Sequence, residues 1–134
     1  MSDRTQMEKT LRAAYAARKR GDLDALAGIF APHARFQMAG SNASPIARKV
    51  VGAAEFRPLL AGMIQTFEIL DYTIVSMLID GEAAAVQWHA KMRSSVTGQT
   101  VETDLFDLIE MEDGRIASFI EFCDTALVAR LMQA

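Results

Sequence analysis

Residues 21–36 read GDLDALAGIFAPHARF, a short amphipathic helix set directly against the start of a strand. Gly21 stops a preceding helix, Asp22 is placed to cap the next one, and Leu23, Leu26, Ile29 and Phe30 recur at helical spacing. This predicts a helix over Asp22–Phe30 that Pro32 ends. Beyond the proline, Ala34, Phe36 and Met38 alternate with Arg35 and Gln37, the period of a half-buried strand.

Working outward, Asp3–Arg20 reads as a first helix, with Met7, Leu11, Ala14, Tyr15 and Arg18 near one stripe. After the strand, residues 39–45 (AGSNASP) are small and polar and form a loop. Gly52–Phe67 reads as a third helix burying Phe56, Leu59, Leu60, Met63 and Ile64, with Pro58 tolerated near its first turns. Four strands follow, Glu68–Ile79, Ala83–Val96, Thr100–Met111 and Arg115–Cys123, separated by Asp80-Gly81, Thr97-Gly98 and Asp113-Gly114. A short helix over Asp124–Met132 closes the chain. Helices first and a meander after make an α+β order, satisfied by one strongly curved antiparallel sheet around three N-terminal helices, a cone-shaped α+β barrel.

The 134 residues suffice for one domain over residues 1–134 with a true core. A net charge of −3, with the basic groups scattered, gives no electrostatic reason to expect nucleic acid or an anionic membrane as partner. The polar N-terminus lacks the apolar stretch of a signal peptide, and no run approaches the roughly 20 apolar residues of a membrane span. Cys123 is the only cysteine, so no internal disulfide forms and a reducing cytoplasm is the expected setting.

Strand parity assigns the faces. Val86, Trp88, Ala90 and Met92 form the inner face of their strand, and Gln87, His89, Lys91 and Arg93 the outer. A two-residue turn at Thr97-Gly98, or at Gly98-Gln99, puts Thr103, Leu105 and Asp107 on the same side as Trp88. A three-residue loop with Gly114 left-handed then pairs Leu105 with Glu121 and Asp107 with Phe119. The concave wall becomes Trp88, Ala90, Met92, Leu105, Asp107, Ile109, Ala117, Phe119, Glu121 and Cys123. Two carboxyls sit diagonally in it, about 7 Å apart at Cβ. Burial and mutual repulsion raise a carboxyl pKa, so one of Asp107 and Glu121 can hold a proton while the other acts as base. They are the candidate catalytic residues. Tyr15 packs in the core with its hydroxyl at the cavity rim, Cys123 is an inert thiol, and His33 and His89 make a poor metal site; neither cofactor nor metal is expected. On the outer face, Phe106, Leu108, Ile120 and Phe122 form an apolar patch bordered by Glu102, Asp104, Glu110, His89, Lys91 and Arg93, which predicts a two-fold homodimer.

In cadence and content the GDLDALAGIFAPHARF segment, with DGRIASF and EFCDTALVARL downstream, resembles the SnoaL-like, ketosteroid-isomerase-like branch of the nuclear-transport-factor-like superfamily. That resemblance implies a cavity whose mouth the 39–45 loop borders, holding a small hydrophobic or polyketide-like ligand. The expected lining is Tyr15, Met38, Phe56, Trp88, Met92, Leu105, Phe119 and Cys123. In ketosteroid isomerase a first-helix tyrosine and a first-strand acid carry the chemistry; Ala14 and Met38 stand there in this chain, with Tyr15 one position away. Asp107 is the counterpart of that family's later-strand acid and of the polyketide-cyclase acid. With Glu121 it matches the carboxylate pair of limonene-epoxide-hydrolase-like proteins, although Leu105 stands where their arginine would be. The histidine pairs of scytalone-dehydratase-like proteins have no equivalent here. The resemblance thus implies an isomerase, cyclase or hydrolase needing no cofactor, or a non-catalytic ligand-binding or protein-interaction module.

Overall fold

The computed structural model describes residues 3–133. Helix α1 (Arg4–Arg20) starts where the Asp3 carboxylate accepts from the Gln6 amide at 2.7 Å. It ends at Gly21, whose φ of 70° lets its amide turn back onto the Ala17 and Arg18 carbonyls. Asp22 caps α2 (Leu23–Gly28) as expected, but α2 is shorter than the sequence predicts. Phe30 belongs to strand β1 (Phe30–Met38), not to the helix. Pro32 drives the residue before it into extended backbone, and the proline falls in the gap of β1's pairing between Phe30 and Arg35, where it breaks no ladder hydrogen bond.

The sequence offered no sign of β2 (Arg48–Val51), a four-residue edge strand that pairs antiparallel with the second half of β1. Gly52 precedes α3 (Ala53–Thr66), which buries Phe56 and Leu60 fully and Leu59, Met63 and Ile64 in part. Strands β3 (Phe67–Asp80), β4 (Ala83–Ser94), β5 (Thr100–Glu112) and β6 (Arg115–Phe122) form the meander, and α4 (Thr125–Leu131) follows, capped by Asp124. Among the described residues six strands run β2-β1-β6-β5-β4-β3 in one curved sheet that does not close. Every pairing is antiparallel except one: β1 lies parallel to β6, so the sheet is mixed where an all-antiparallel sheet was expected. Bulges in β3 between Ile69 and Asp71 and between Ile74 and Ser76 bend its edge.

The faces of β4 fall as parity predicts, with Val86, Trp88, Ala90 and Met92 all buried. The β4–β5 loop has four residues, Ser95–Gly98, in place of the expected two-residue turn; both lengths are even, so parity is kept and Trp88 pairs with Leu105. Buried Ser94 organises that loop, since its hydroxyl accepts from the Val96 and Thr97 amides and donates to the Leu131 carbonyl of α4 at 2.5 Å.

The β5–β6 connection differs more. Asp113 (φ 52°) and Gly114 (φ 79°) are both left-handed, which is a two-residue type I′ turn and not the expected three-residue loop. Such a turn alone would send Glu121 outward. A bulge restores it: Glu110 pairs with Ser118 and Met111 with Ile116, leaving Ala117 as an extra residue on β6. Ile116 therefore takes the inner position expected of Ala117, and Asp107 faces Glu121 directly across the strands, not diagonally. On the concave side Phe36 and Phe119 stack at 5.3 Å, with Phe30 5.8 Å from Phe119 and 5.3 Å from Phe56. No helix among the described residues is long and apolar enough to cross a membrane.

Replacing Ser94 with Ala is expected to lower stability by about 1–3 kcal/mol, because the buried Leu131 carbonyl and two loop amides lose their partner. A urea titration measures this, and faster amide exchange in α4 than in β4 locates it.

Candidate functional site

Between the concave face and α1 to α3 lies a cavity of about 460 Å³. Its wall is mostly apolar. Of the expected lining, Tyr15, Met38, Trp88, Met92, Leu105, Phe119 and Cys123 are in place. Phe56 is not: it turns away into the aromatic core against Phe30. Pro45 and Ile46 put the 39–45 loop and its continuation on the cavity border as expected, and β2 adds Arg48 and Val50.

The two carboxyls separate in role. Glu121 is in the wall and 6% exposed; Asp107 is 0% exposed and sits behind the wall, out of the cavity. Tyr15 donates its hydroxyl to Asp107 Oδ2 at 2.5 Å, and the Trp88 indole donates to the same oxygen at 2.8 Å. The Tyr15 hydroxyl is therefore not at the rim, as expected, but buried on a carboxyl. The rings of Tyr15 and Trp88 meet edge to face at 5.2 Å, which fixes both donors.

Asp107 Oδ1 has no donor among the described residues when both acids are ionised. A proton held by Asp107 and directed at its register partner Glu121 satisfies that oxygen. The electrostatics agree. Burial pushes the Asp107 pKa well above the carboxylate range, helped by the charge of Glu121 and the hydrogen bond to it, against the Tyr15 and Trp88 donors. Glu121 is raised by burial too, but the Asp107 hydrogen bond and the charge of Arg18 oppose the rise. Asp107 thus stays neutral to higher pH, and Glu121 is the member of the pair that ionises. Burial, then Glu121, lifts the Cys123 thiol to about 11, so it stays protonated near neutrality. Burial and then the Asp107 charge raise Tyr15 well above its ordinary value, which keeps it a donor.

Sequence reasoning assigned Arg18 no role, yet it lines the cavity three residues after Tyr15 on α1. Its Nη2 donates to the Met63 and Phe67 carbonyls at 3.2 and 2.8 Å, across the α3–β3 junction. A cation on the otherwise apolar stripe of the first helix was the available signal.

Asp107→Asn should reproduce the protonated acid, its amide oxygen accepting from Tyr15 and Trp88 and its NH₂ facing Glu121. Between the unfolded Asp pKa of about 3.9 and the raised native value, the native wild type binds more protons than the unfolded chain. Wild-type stability therefore falls relative to the Asn variant as pH rises through that window, which urea midpoints at pH 4 and pH 7 will show. Asp107→Ala should cost about 2–5 kcal/mol at either pH, from a buried cavity and two unpaired donors.

The profile of the SnoaL-like domain matches residues 11–119. No curated protein sequence matches the chain significantly. Among solved structures, a provisionally named isomerase from Bacillus subtilis superposes with a TM-score of 0.86 at 16% identity, over 98% of this chain and 95% of the other. A nuclear-transport-factor-like protein of unknown function from Burkholderia pseudomallei K96243 gives 0.82 at 23% identity over 100% of both chains. A provisionally named SnoaL-like polyketide cyclase from Jannaschia sp. CCS1 gives 0.81 at 18% identity, over 100% and 99%. At these identities the likeness is one of fold. The match over residues 11–119 goes further, and by it the chain belongs to the SnoaL-like domain family.

Proposed function

We propose that this protein is an enzyme that binds a small hydrophobic molecule and moves a proton on it with the Glu121 carboxyl, as an isomerase or cyclase. The observation that carries the reading is the position of Glu121, an acid in an apolar wall directly opposite the buried carboxyl of Asp107. Glu55 also borders the cavity, but it is exposed and bonded to the Val51 amide at 2.8 Å. A carboxylate poorly solvated and raised toward neutrality is suited to take a proton from carbon beside a carbonyl and return it elsewhere.

The names carried by similar folds span isomerase, polyketide cyclase and epoxide hydrolase. Hydrolysis of an epoxide is the least suited to this site. It needs one carboxyl to activate water while a second protonates the ring oxygen, and Asp107 lies behind the wall where ligand cannot reach it. The competing reading is a binding module without chemistry.

Deuterium uptake at the α-carbons of 2-tetralone in D₂O, followed by NMR, decides between them. Wild type should accelerate exchange, and Glu121→Gln should reduce the enzymatic rate by about 10²–10⁴-fold. Equal rates with both proteins would leave binding alone.

The same reading includes a homodimer. Phe106, Leu108 and Phe122 are 43%, 43% and 46% exposed on the outer sheet face, around partly buried Ile120. Charges of both signs border the patch, with Lys91 opposite Glu102 and His89 bonded to Asp104 at 2.9 Å, so a two-fold copy sets apolar on apolar within a border that holds both signs. Phe106→Glu should give monomers in sedimentation velocity; an unchanged dimer would reject this surface.

A further inference from the structure

A second hollow, of about 480 Å³, lies at the surface where the end of α1 meets α3 and the paired ends of β3 and β4. Arg18 and Ile69 border both this hollow and the apolar cavity. The hollow is charged where the cavity is not. Arg18, Lys19 and Arg20 of α1 and Arg93 of β4 line it, and Glu68 is the one acid in its lining among the described residues, in a chain whose net charge is −3.

Local demands account for part of this charge. Cations in the last turn of a helix are favoured by its dipole, by about 0.3–1 kcal/mol each. The carbonyls at the end of α1 do not engage them, since the Asp22 amide takes Ala17 and the Gly21 amide takes Arg18, at 3.0 and 3.2 Å. Arg93 comes from a different element; its pair with Glu68, at 2.5 Å, is between side chains more than half exposed and contributes little. Arg20 has only a 3.5 Å pair with Asp22, and Lys19 has no ion pair among the described residues. Arg18 uses Nη2 alone, on the Met63 and Phe67 carbonyls, which leaves Nε and Nη1 without a partner among the described residues. Burial lowers its pKa, the mark of a cation short of counter-charge.

We propose that this hollow is a binding site for an organic phosphate or diphosphate, held by Arg18, Lys19, Arg20 and Arg93. A guanidinium fork matches two phosphate oxygens, and an ammonium adds a mobile point charge. Four cations against one acid suit a multiply charged anion, and Ile64 and Ile69 offer apolar contact to its organic part. The phosphoryl group is either that of a free anion or the end of a ligand whose apolar body fills the cavity beyond Arg18; the recognition chemistry is the same. No bond forms or breaks, and the site does not depend on proton transfer by Glu121.

Titration calorimetry with inorganic pyrophosphate tests this. Wild type should bind one pyrophosphate per chain, with an affinity that falls as sodium chloride rises. Combining Lys19→Gln with Arg20→Gln, both at exposed positions, should weaken binding at least tenfold, equivalent to about 1.4 kcal/mol, with an unchanged urea midpoint. Combining Arg35→Gln with Lys49→Gln removes two exposed cations on the β1–β2 pair, outside the hollow, and should leave the affinity as it was. Phenyl phosphate should displace pyrophosphate. Trp88 is the only tryptophan and lies in the cavity wall, so its fluorescence separates the two sources: a change on adding phenyl phosphate supports the end of a cavity ligand, and no change supports a free organic phosphate. No saturable binding of pyrophosphate up to about 10 mM would overturn the proposal. Equal losses in the two double variants, the sign of diffuse attraction, or failure of phenyl phosphate to compete would overturn it as well.

Discussion

One additional residue in β6, Ala117, decides which side of the sheet carries Glu121. Strand side chains alternate, so a shift of one position moves an entire face from core to solvent. The tight Asp113-Gly114 turn sets one parity and the Ala117 bulge reverses it within four residues. Ile116 faces inward by the turn alone, paired with Met111; everything beyond it depends on the reversal: Phe119 reaches the core, Glu121 meets Asp107, and Phe122 goes to the outer face. Without the bulge, a phenylalanine would fill the cavity wall and the carboxylate would face water.

Placing two acids opposite each other in an apolar interior is unfavourable unless the pair carries a single negative charge. The surroundings make that division unequal. Asp107 is fully buried and receives two donors on one oxygen, while its other oxygen has no donor among the described residues and is the one that burial favours protonating. Glu121 has the cavity on one side and the positive charge of Arg18 within electrostatic reach. Tyr15 and Arg18 both come from α1, so a single helix supplies one group to each acid; the register of that helix matters as much as that of the strands.

Much of this was legible in the chain. The helix order, the meander and the faces of β4 follow from periodicity and turn residues, which are local properties. Glu121 and Asp107 were found because each interrupts an apolar face at strand spacing. Three features were not legible. β2 has only four residues, two charged and two apolar, with no alternation to see, and it exists because β1 offers an edge. The parallel β1–β6 pairing joins segments some 80 positions apart, which no window contains. The bulge at Ala117 leaves no mark in composition, since alanine suits either face; the reading reached the correct face for Glu121 by a different turn. Phe56 was assigned to the cavity because it is apolar and on the proper helix, but its direction is set by Phe30, which lies in a strand and not in a helix.

The parallel pairing has a consequence for how the chain is assembled. β1 is flanked by β2 on one side and β6 on the other, so half of its hydrogen-bonding edge has no partner until residues 115–122 have been synthesised. The aromatic cluster has the same requirement, since Phe30 and Phe36 pack on Phe119. The first five elements therefore cannot settle as a unit during translation; they wait, with an apolar strand uncovered, for the last strand of the sheet. Such non-local closure slows folding and lengthens the time that an open edge is available for wrong pairing. In β1, Pro32 and the exposed Arg35 occupy that edge, and a proline and a charge are the residue types that discourage a stray strand from adding there.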